Sequence, residues 1–408
     1  MWQSPDTLVS PIMFEPGGPL EELRDGVREW CAAHVPKDWR ERQRGATHQE
    51  LIEFMEWWGA QLREAGLLAP HWPKEWGGGF SVREQVVIAE ELARGDGPRN
   101  GLYHVGVFNV APTLVHSGTQ EQRERYLPAI WGGEVWCQGY SEPNAGSDLA
   151  GLQTRAVRDG DNYVVNGQKV WTSWAKEADR CMLLARTDPD VPKHKGISCL
   201  IVDMRAPGIE VQPIRQAWGP ADFNEVFFDD VIVPVDNLIG PENRGWAVAS
   251  GTLAAERAVV ILEAAERLRC NGIEAAIAEA AATRLEGGEP ALEDSAVREL
   301  LASCYAEVQV LRRVLNEMID DILRGADVSG TSSIIKVLYS DLLHRFTREL
   351  TALHGVAGQL DGPVLACAGW ETGFWMNDYI HSFGWLIGGG TNEILRNVIG
   401  ERMLGLPR

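Results

Sequence analysis

The hydrophobic pattern of this chain changes its period twice, and that change most constrains the fold. Residues 20–130 repeat apolar side chains at spacings of three and four, as in LEELRDGVREWCAAHV, which is typical of amphipathic helices. Residues 136–240 instead contain short runs rich in β-branched residues, such as NYVVNGQKVW and GISCLIVDM, which are typical of strands. From residue 246 onward the helical period returns. The pattern predicts a mainly α protein with a central antiparallel β domain.

Two local signals sharpen this prediction. Ser81 opens the segment SVREQVVIAEELARGDG, which ends in glycine, so Ser81 is a predicted helix N-cap. The dipeptide Asn166-Gly167 lies between strand-like runs and predicts a hairpin turn. Strands and helices do not alternate as they would in a parallel βαβ fold. The predicted domains are residues 1–132 (helical), 133–244 (β) and 245–408 (a helical bundle).

Charge and cysteine usage exclude several classes of protein. The net charge is −20, and basic residues form only short runs such as residues 40–44, interrupted by Glu41, so a nucleic-acid binder is not expected. The seven cysteines are scattered without CxxC spacing, which argues against a disulfide framework or a metal site and for a reducing compartment. The first residues have no basic end followed by a long apolar run, so we expect no secretory signal, and no apolar run approaches the ~20 residues of a membrane helix. We expect a cytoplasmic protein that does not bind membranes.

Two segments of the β region contain polar groups suited to binding. CQGYSEPNAGSDLAGLQTRA, residues 137–156, crowds hydroxyls and carboxylates into a loop that could hold an anion or the polar edge of a ring; an ordinary polar loop is the alternative. In NGQKVWTSWAKEADR, Trp171 is followed by Thr172 and Ser173. This trio could pack against a flat ring and bond its edge, or Trp171 could belong to the β core.

Two segments of the C-terminal region raise further questions. In GTLAAERAVVILEAAERL, helical spacing places Glu256 and Arg257 on the apolar face that contains Leu253. Burying charge is costly without partners, so the pair is either a catalytic base with its neighbour or a structural ion pair. In LIGGGTNEILRNVIGERMLGLPR, three glycines separate two helical segments. They form either a simple turn or a close approach to a ligand.

Three of these segments together carry a family resemblance. YSEPNAGSDLAGLQTRA, VVNGQKVWTSWAKEADR and GGGTNEILRNVIGERMLGLPR, in this order and spacing, resemble the acyl-CoA dehydrogenase family over essentially the whole chain. The resemblance implies an α-helical domain, a β-barrel domain and a four-helix bundle, with FAD as cofactor. It also implies loss of two hydrogens from the Cα–Cβ bond of an acyl-CoA thioester. A carboxylate takes the α-proton, and the β-hydrogen leaves as hydride to the flavin.

The resemblance also implies roles for individual residues. Ser147 matches a position that contacts either the flavin phosphates or the substrate's pantetheine region, and Arg257 matches an arginine near the CoA end of the substrate or near the base. The residues that match cofactor-binding positions are Gln138, Tyr140, Ser141, Ser147, Trp171, Ser173, Arg284, Thr391 and Glu393.

The position of the base follows from the same resemblance. In the commoner family pattern a glutamate precedes Gly-Thr in the last motif and acts as base, whereas here that place is Gly389. A minority of members, similar to the isovaleryl-CoA and long-chain enzymes, carry the base on a bundle helix directly before an arginine, as in Glu256-Arg257. We therefore predict Glu256 as the base and the N–H of Gly389 as a donor to the thioester oxygen.

Some positions depart from the family pattern. RLEGGEP keeps Arg284, which matches an arginine that reaches the FAD pyrophosphate of a neighbouring subunit, but has Gly287 in place of the usual Phe. ALHGV has Ala352 in place of Gln and Val356 in place of Gly. These changes affect the adenine half of the expected FAD site, and an unusual subunit arrangement is one explanation.

The resemblance finally implies partners and a substrate class. It implies a homotetramer, or a heterotetramer with a paralogous subunit, and an electron-transferring flavoprotein as acceptor. The GGGTNE ending with a helix-borne base also resembles bacterial sterol-degradation members, so we expect a bulky or branched acyl group, including a steroid-derived one. The alternatives are an acyl-CoA oxidase, a dehydrogenase acting on a carrier-protein thioester, and a non-catalytic partner subunit.

Overall fold

A computed structural model describes residues 13–43, 46–217, 221–285, 287–354 and 375–407, and it describes residues 251–260 by their backbone alone. In these ranges helices α1 to α13 span Leu20–His34, Trp39–Gln43, His48–Glu64, Val82–Arg94, Gly101–His104, Ala111–Ser117, Gln120–Gly132, Gly245–Arg267, Ala275–Ala282, Ser295–Leu323, Ser329–Leu353, Trp375–Ile387 and Asn392–Val398. Strands β1 to β8 span Trp136–Gly139, Arg155–Asp159, Asn162–Ser173, Arg180–Arg186, Ile197–Asp203, Ile209–Ile214, Phe223–Pro234 and Leu238–Ile239.

The order of these elements, helices then strands then helices, confirms the predicted fold class. Helix α4 also begins at its predicted cap. The Ser81 hydroxyl accepts from the N–H of Glu84 at 3.4 Å, and the Glu84 carboxylate accepts from the N–H of Ser81 at 2.6 Å. This reciprocal capping box bonds amide hydrogens that the first helical turn leaves without partners. Ser81 alone located this helix start in the sequence, and the structure adds Glu84 as its reciprocal partner.

The eight described strands form one sheet in the order β6-β7-β3-β2-β4-β5-β8, with β1 paired to β4. Most neighbours are antiparallel, as predicted, but β2 meets β4 in parallel at one residue pair, and β1 runs parallel to β4 from Trp136 beside Arg180 to Gly139 beside Leu183. Parallel neighbours need a long crossover connection. Here the chain between β1 and β4 contains the β2–β3 hairpin, which provides that connection. The alternation of residues along a strand does not indicate its direction, so the sequence did not reveal this pair.

The prediction of a hairpin turn at Asn166-Gly167 is wrong. This dipeptide lies inside β3, where the register with β7 shifts. The β2–β3 hairpin turns instead at Gly160, whose φ of +57° suits a glycine. A Cβ on Gly167 would lie 2.6 Å from the Cα of Thr154. Glycine is thus required at position 167 because another backbone passes close to it, which is a second common reason for glycine in a strand.

The C-terminal helices pack around an apolar core formed by α10, α11 and the end of α8. Buried apolar side chains recur along α10 at spacings of three and four, as the sequence pattern predicted. These α10 residues are Val297, Leu301, Cys304, Val308, Leu311, Leu315 and Met318. Burying one such side chain fully contributes about 1.5–3 kcal/mol. Among the described helices, none is both long enough and apolar enough to span a lipid bilayer.

The chain divides into two compact units, each built from separate stretches. The first contains the described residues up to 51, residues 79–99 and the described residues from 257 onward; we call it the helical unit. The second contains residues 52–78 and the described residues among 100–256, including all eight described strands; we call it the sheet unit. This division differs from the three domains proposed from the sequence, which remain a prediction.

Candidate active site

The first group of predicted residues lies at the end of β1 in the sheet unit. Gln138 is in β1, and Tyr140 and Ser141 follow directly, with Tyr140 only 5 % exposed. The N–H of Val170 in β3 donates to the carbonyl of Ser141 at 2.9 Å. This bond brings the end of β1 beside the end of β3. Two segments that are separate in the sequence are therefore parts of one surface.

Trp171 lies on a β-bulge at that surface. From Lys169 to Thr172, β3 advances three residues while β7 advances two. Trp171 has a φ of +60° and is 58 % exposed, and its ring meets that of Phe223 edge-on with centroids 6.2 Å apart. Thr172 is buried and Ser173 half-buried. Bulges re-aim side chains, and positive φ at a non-glycine residue often marks a functional site. The bulge presents an indole that could cover a flat ligand.

A buried ion pair supports the loop after β1. The ammonium of Lys169 donates to Glu142 Oε1 at 2.8 Å and to the carbonyl of Tyr140 at 3.0 Å. The Glu142 carboxylate also accepts from the amides of Gln153 at 2.6 Å and Thr154 at 2.8 Å. Burial lowers the pKa of Lys169 to about 8, although Glu142 opposes that shift. Burial would raise the pKa of Glu142, but Lys169 and the two amides outweigh it and lower the pKa. The pair holds Tyr140 and the next residues in place.

Three buried oxygens near this surface have no hydrogen-bond partner within the described residues: Asn109 Oδ1, Thr172 Oγ1 and Asn224 Oδ1. The amide nitrogen of Asn109 donates to Gln138 Oε1 at 2.7 Å, which leaves the amide nitrogen of Gln138 available as a donor. The amide nitrogen of Asn224 donates to the carbonyl of Thr172 at 3.1 Å. An unpartnered buried oxygen costs about 1–3 kcal/mol. Such oxygens fit a ligand with polar edges, and the expected flavin is one.

Ser147 lies further along the same loop and is exposed. Its neighbour Asp148 accepts from Lys193 Nζ at 2.7 Å, so the loop is tied to residues after β4. A short 3₁₀ turn, Leu149–Gly151, follows. Ser147 is open to a ligand from solvent, as a contact to phosphates or to pantetheine requires.

The glycine turn of the helical unit, residues 388–390, connects α12 to α13. Gly389 has a φ of +66° and Gly390 one of +95°, backbone angles that favour glycine at both positions. A Cβ added at Gly389 would meet no described atom within 4 Å. Thr391 caps α13, accepting from the N–H of Ile394 at 3.2 Å, and Glu393 is 79 % exposed in the first helical turn. Its own backbone amide there lowers the pKa of Glu393.

Arg284 lies in an exposed loop after α9. Its guanidinium donates to the carbonyl of Gly288 at 3.3 Å, and its backbone forms an isolated bridge with Pro290. Ala352 is exposed in the last turn of α11, and Val356 lies outside the described residues. The predicted contact of Arg284 with a neighbouring subunit's FAD remains a prediction, although an exposed guanidinium is free to reach a partner.

Glu256 and Arg257 fall in α8, but their side chains lie outside the described residues, so the base assignment stays a prediction. The structural alternative that the pattern raised, an Arg–Glu network in the bundle, is present further along at Glu266. This carboxylate is 2 % exposed and contacts Arg94 at 2.9 Å, Arg269 at 2.6 Å and Arg312 at 3.0 Å. Burial would raise the pKa of Glu266, but the three arginines outweigh it and lower the pKa.

The structure thus brings together Gln138, Tyr140, Ser141, Trp171 and Ser173 in the sheet unit, and Gly389, Thr391 and Glu393 in the helical unit. The sequence did not reveal the polar residues that bond to them or to their neighbours: Asn109, Glu142, Lys169 and Lys336, whose ammonium donates to the carbonyl of Gly390 at 2.9 Å. In the sequence, Lys169 and Lys336 are charged residues beside apolar ones in segments that are otherwise buried. That placement was the one feature of the sequence that could have indicated a role for them. Their partners lie far along the chain, so spacing alone could not identify them.

The chain is similar to known proteins along nearly its whole length. Sequence models of three domains match the chain: acyl-CoA dehydrogenase N-terminal domain over residues 20–134, middle domain over 137–231 and C-terminal domain over 243–404. A protein named acyl-CoA dehydrogenase IpdE1 from Mycobacterium tuberculosis (strain ATCC 25618 / H37Rv) is 38 % identical over 398 residues, which are 95 % of this chain and 98 % of that relative.

Solved structures are similar over the same length. The Tcur3481-Tcur3483 steroid ACAD matches with a TM-score of 0.81 and 34 % identity, covering 97 % of this chain and 100 % of that one. The ChsE4-ChsE5 complex from Mycobacterium tuberculosis matches with a TM-score of 0.78 and 34 % identity, with the same coverage of 97 % and 100 %. Both similarities span the helical and the sheet regions.

Proposed function

Because this chain belongs to the acyl-CoA dehydrogenase family, and is thus an oxidoreductase acting on the CH–CH bond of an acyl-CoA thioester, we propose that it uses FAD to form the 2-enoyl-CoA of a bulky or branched acyl group. One observation carries this proposal. The last motif has Gly389 where a base commonly stands, and a Glu-Arg pair, Glu256-Arg257, occurs on α8. The loss at one position and the gain at the other fit a base that approaches from the bundle helix.

The sheet unit supports flavin binding. A flavin ring has flat faces and an edge of alternating donors and acceptors, which the exposed indole of Trp171 and the buried oxygens of Asn109 and Thr172 fit. The donor left available on Gln138 fits an acceptor on the same edge. A bound flavin would supply the two-electron acceptor for the hydride that leaves the β-carbon.

The residues of this chain supply the acid–base and electrostatic parts of the reaction. A thioester α-proton is too weakly acidic for free glutamate to remove, so the base must be held against the α-carbon. In this proposal Glu256 takes that proton, and Arg257 lies near the CoA end of the substrate. As the proton leaves, negative charge develops on the thioester oxygen, and the N–H of Gly389 donates to it. Fixed donors of this kind supply much of the rate enhancement in comparable reactions.

The glycine turn supports a bulky acyl group. With no side chain at Gly389 and no described atom within 4 Å of an added Cβ, the backbone there leaves space beside the thioester position. A solved relative described as a steroid ACAD, 34 % identical to this chain, supports a sterol-derived substrate class. We therefore extend the proposal to branched and steroid-derived acyl-CoA thioesters.

An anaerobic titration of the purified yellow protein tests the proposal. The protein is mixed with straight-chain, branched, aromatic and steroidal CoA thioesters, and loss of the flavin absorbance is followed. We expect bleaching by branched or steroidal thioesters at rates well above those of straight-chain ones. Bleaching by straight-chain thioesters with rejection of the others would refute the substrate class, and no bleaching by any thioester would refute the catalytic assignment.

Three alternatives remain to be separated by experiment. A non-catalytic partner subunit is favoured by Gly287, Ala352 and Val356, which depart from the pattern of the adenine half of the site, and by the two-protein complex ChsE4-ChsE5 among the solved relatives. Such a subunit purified alone would be colourless. An acyl-CoA oxidase would reoxidise rapidly in oxygen, whereas a dehydrogenase would need an electron-transferring flavoprotein. A carrier-protein enzyme would be bleached by carrier-bound thioesters and not by CoA thioesters.

Asn109 is expected to contribute to FAD affinity. Replacing Asn109 with leucine removes the donor that orients Gln138 and a buried oxygen suited to the flavin edge. One such hydrogen bond is worth about 1.4 kcal/mol, or tenfold in affinity. We expect the FAD dissociation constant of Asn109→Leu to rise about tenfold, as measured by fluorescence of released FAD.

Asn100→Leu is the matched control for this prediction. Asn100 is a half-buried amide of the sheet unit that donates to the carbonyl of Met55 at 2.8 Å, and like Asn109 it has a buried amide oxygen without a partner among the described residues. It should lose similar stability without changing FAD affinity. Equal FAD affinities in both variants would contradict the role of Asn109.

A further inference from the structure

The glycine turn needs support from elsewhere in the fold. Its two consecutive residues with positive φ, Gly389 and Gly390, have no side chains that could pack and hold them. Glycine also has more backbone freedom to lose than any other residue. A donor on such a turn meets a developing charge well only when its direction is fixed beforehand. The fold must therefore contain groups that hold the turn.

Lys336, in the first half of α11, holds the turn from both sides. Its ammonium donates to the carbonyl of Leu386 at 3.3 Å, in the last turn of α12, and to the carbonyl of Gly390 at 2.9 Å. The two carbonyls flank Gly388 and Gly389. The same ammonium donates to Asn392 Oδ1 at 2.8 Å, just inside α13. One side chain thus joins the end of one helix, the turn and the start of the next helix.

Burial makes a purely structural explanation of Lys336 weak. The residue is 3 % exposed, and an ammonium in such a place is costly unless acceptors surround it. An apolar side chain of similar size commonly fills a helix interface at lower cost. The surrounding groups are arranged around the lysine: Asn392, 2 % exposed, also accepts from the Ser340 hydroxyl at 3.0 Å and donates to Asp341 at 2.7 Å. This polar cluster is directed at the backbone of the turn.

We infer that Lys336 is a positioning residue that fixes the direction of the Gly389 N–H toward the thioester oxygen. The inference rests on the proposed function, because it assumes that Gly389 is the donor. Lys336 itself does not touch the reacting atoms. It acts through the carbonyls of Leu386 and Gly390, so its loss should loosen the turn and weaken stabilisation of the developing charge while substrate binding changes little.

The test compares Lys336→Met with Ser340→Ala. The serine variant removes a hydrogen bond from the same cluster, to the same Asn392 oxygen, but leaves the lysine bonds to the turn intact. The first measurement is hydrogen–deuterium exchange of the residue 388–391 amides in the resting FAD-bound protein. We expect exchange at least tenfold faster in Lys336→Met and unchanged in Ser340→Ala. Should Lys336→Met not fold, Lys336→Gln, which lacks the charge, is measured in the same way.

The second measurement separates proton removal from hydride transfer. An acyl-CoA analogue with sulfur in place of the β-carbon can lose its α-proton but cannot transfer hydride, so its long-wavelength charge-transfer absorbance reports the deprotonated form. A misplaced group costs about 10²-fold in rate, so we expect anaerobic reduction about 10²-fold slower in Lys336→Met. Its charge-transfer absorbance should be weaker at a given pH, with the analogue's dissociation constant within about threefold of wild type.

The outcomes distinguish the inference from the proposed function. Unchanged exchange at residues 388–391 in Lys336→Met would show that Lys336 does not hold the glycine turn, and this result would not depend on the measured reduction rate. Faster exchange with unchanged reduction and unchanged absorbance would overturn the link to Gly389. If the wild-type protein itself is not bleached by any thioester, the proposed function falls, and the exchange measurement still decides whether Lys336 holds the turn.

Discussion

Glu256→Gln should retain FAD and lose acyl-CoA-driven bleaching. Glutamine has nearly the same shape as glutamate but cannot accept the α-proton, so binding should survive while proton removal fails. Positioned general bases contribute about 10²–10⁴-fold to rate, and we expect a loss in this range. Stopped-flow reduction measures the rate, and the absorbance spectrum of the purified variant measures the retained FAD.

Glu263→Gln provides the control on the same helix. Glu263 lies in α8 and pairs with Arg267 at 2.8 Å, so this variant removes a carboxylate and an ion pair without touching the proposed base. It should reduce at close to the wild-type rate. Equal reduction rates in Glu256→Gln and wild type would eliminate the assignment of Glu256, although the fold and family would stand.

The second large effect is expected at Glu266 and concerns stability. Its carboxylate, 2 % exposed, contacts Arg94, Arg269 and Arg312. Removing one member of a buried ionic cluster leaves the others without compensation, which typically costs 3–5 kcal/mol. We expect Glu266→Gln to lower the free energy of unfolding by about 3 kcal/mol, as measured by denaturant unfolding of the FAD-bound protein.

Glu274→Gln serves as the control because Glu274 also pairs with Arg269 but is 38 % exposed. Exposed pairs contribute about 0–1 kcal/mol. If Glu266→Gln and Glu274→Gln lowered the free energy of unfolding equally, burial would not explain how much Glu266 contributes to stability.

The stabilising contribution of the Glu266 cluster should also depend on pH. Since the folded-state pKa of Glu266 is lowered, its contribution is complete above the ordinary glutamate pKa of about 4.3 and disappears as the pH falls below that value. The wild-type protein should therefore lose stability between about pH 5 and pH 3 more steeply than Glu266→Gln does.

Much of the fold could be predicted because its signals are local. The periodicity located the helical and β regions, and Ser81 located the start of α4. Asn166-Gly167 misled because glycine has more than one use in strands: its sequence context was that of a turn, but the requirement is close approach to Thr154. The parallel pairing of β1 with β4 depends on contacts between distant segments, which no local pattern encodes.

The candidate site shows the same limit. Trp171 stood out as an aromatic residue before two hydroxyls, yet its exposure depends on a bulge defined by the register with β7. Lys169 bonds Glu142, which is 27 residues away, and Lys336 bonds Asn392, which is 56 residues away. These pairs could not be inferred from spacing. The resemblance to a family suggested which residues bind, whereas the structure was needed to find the residues that hold them.

The division of the helical unit among three stretches of chain bears on how the protein can fold during synthesis. Arg24 of the first stretch pairs with Glu91 of the second, and Arg94 of the second pairs with Glu266 of the third. About half of the chain must therefore be translated after the first stretch before this unit can close. The sheet unit is complete by residue 256, so nascent chains truncated near that point should protect their strands from protease while residues 13–51 remain susceptible.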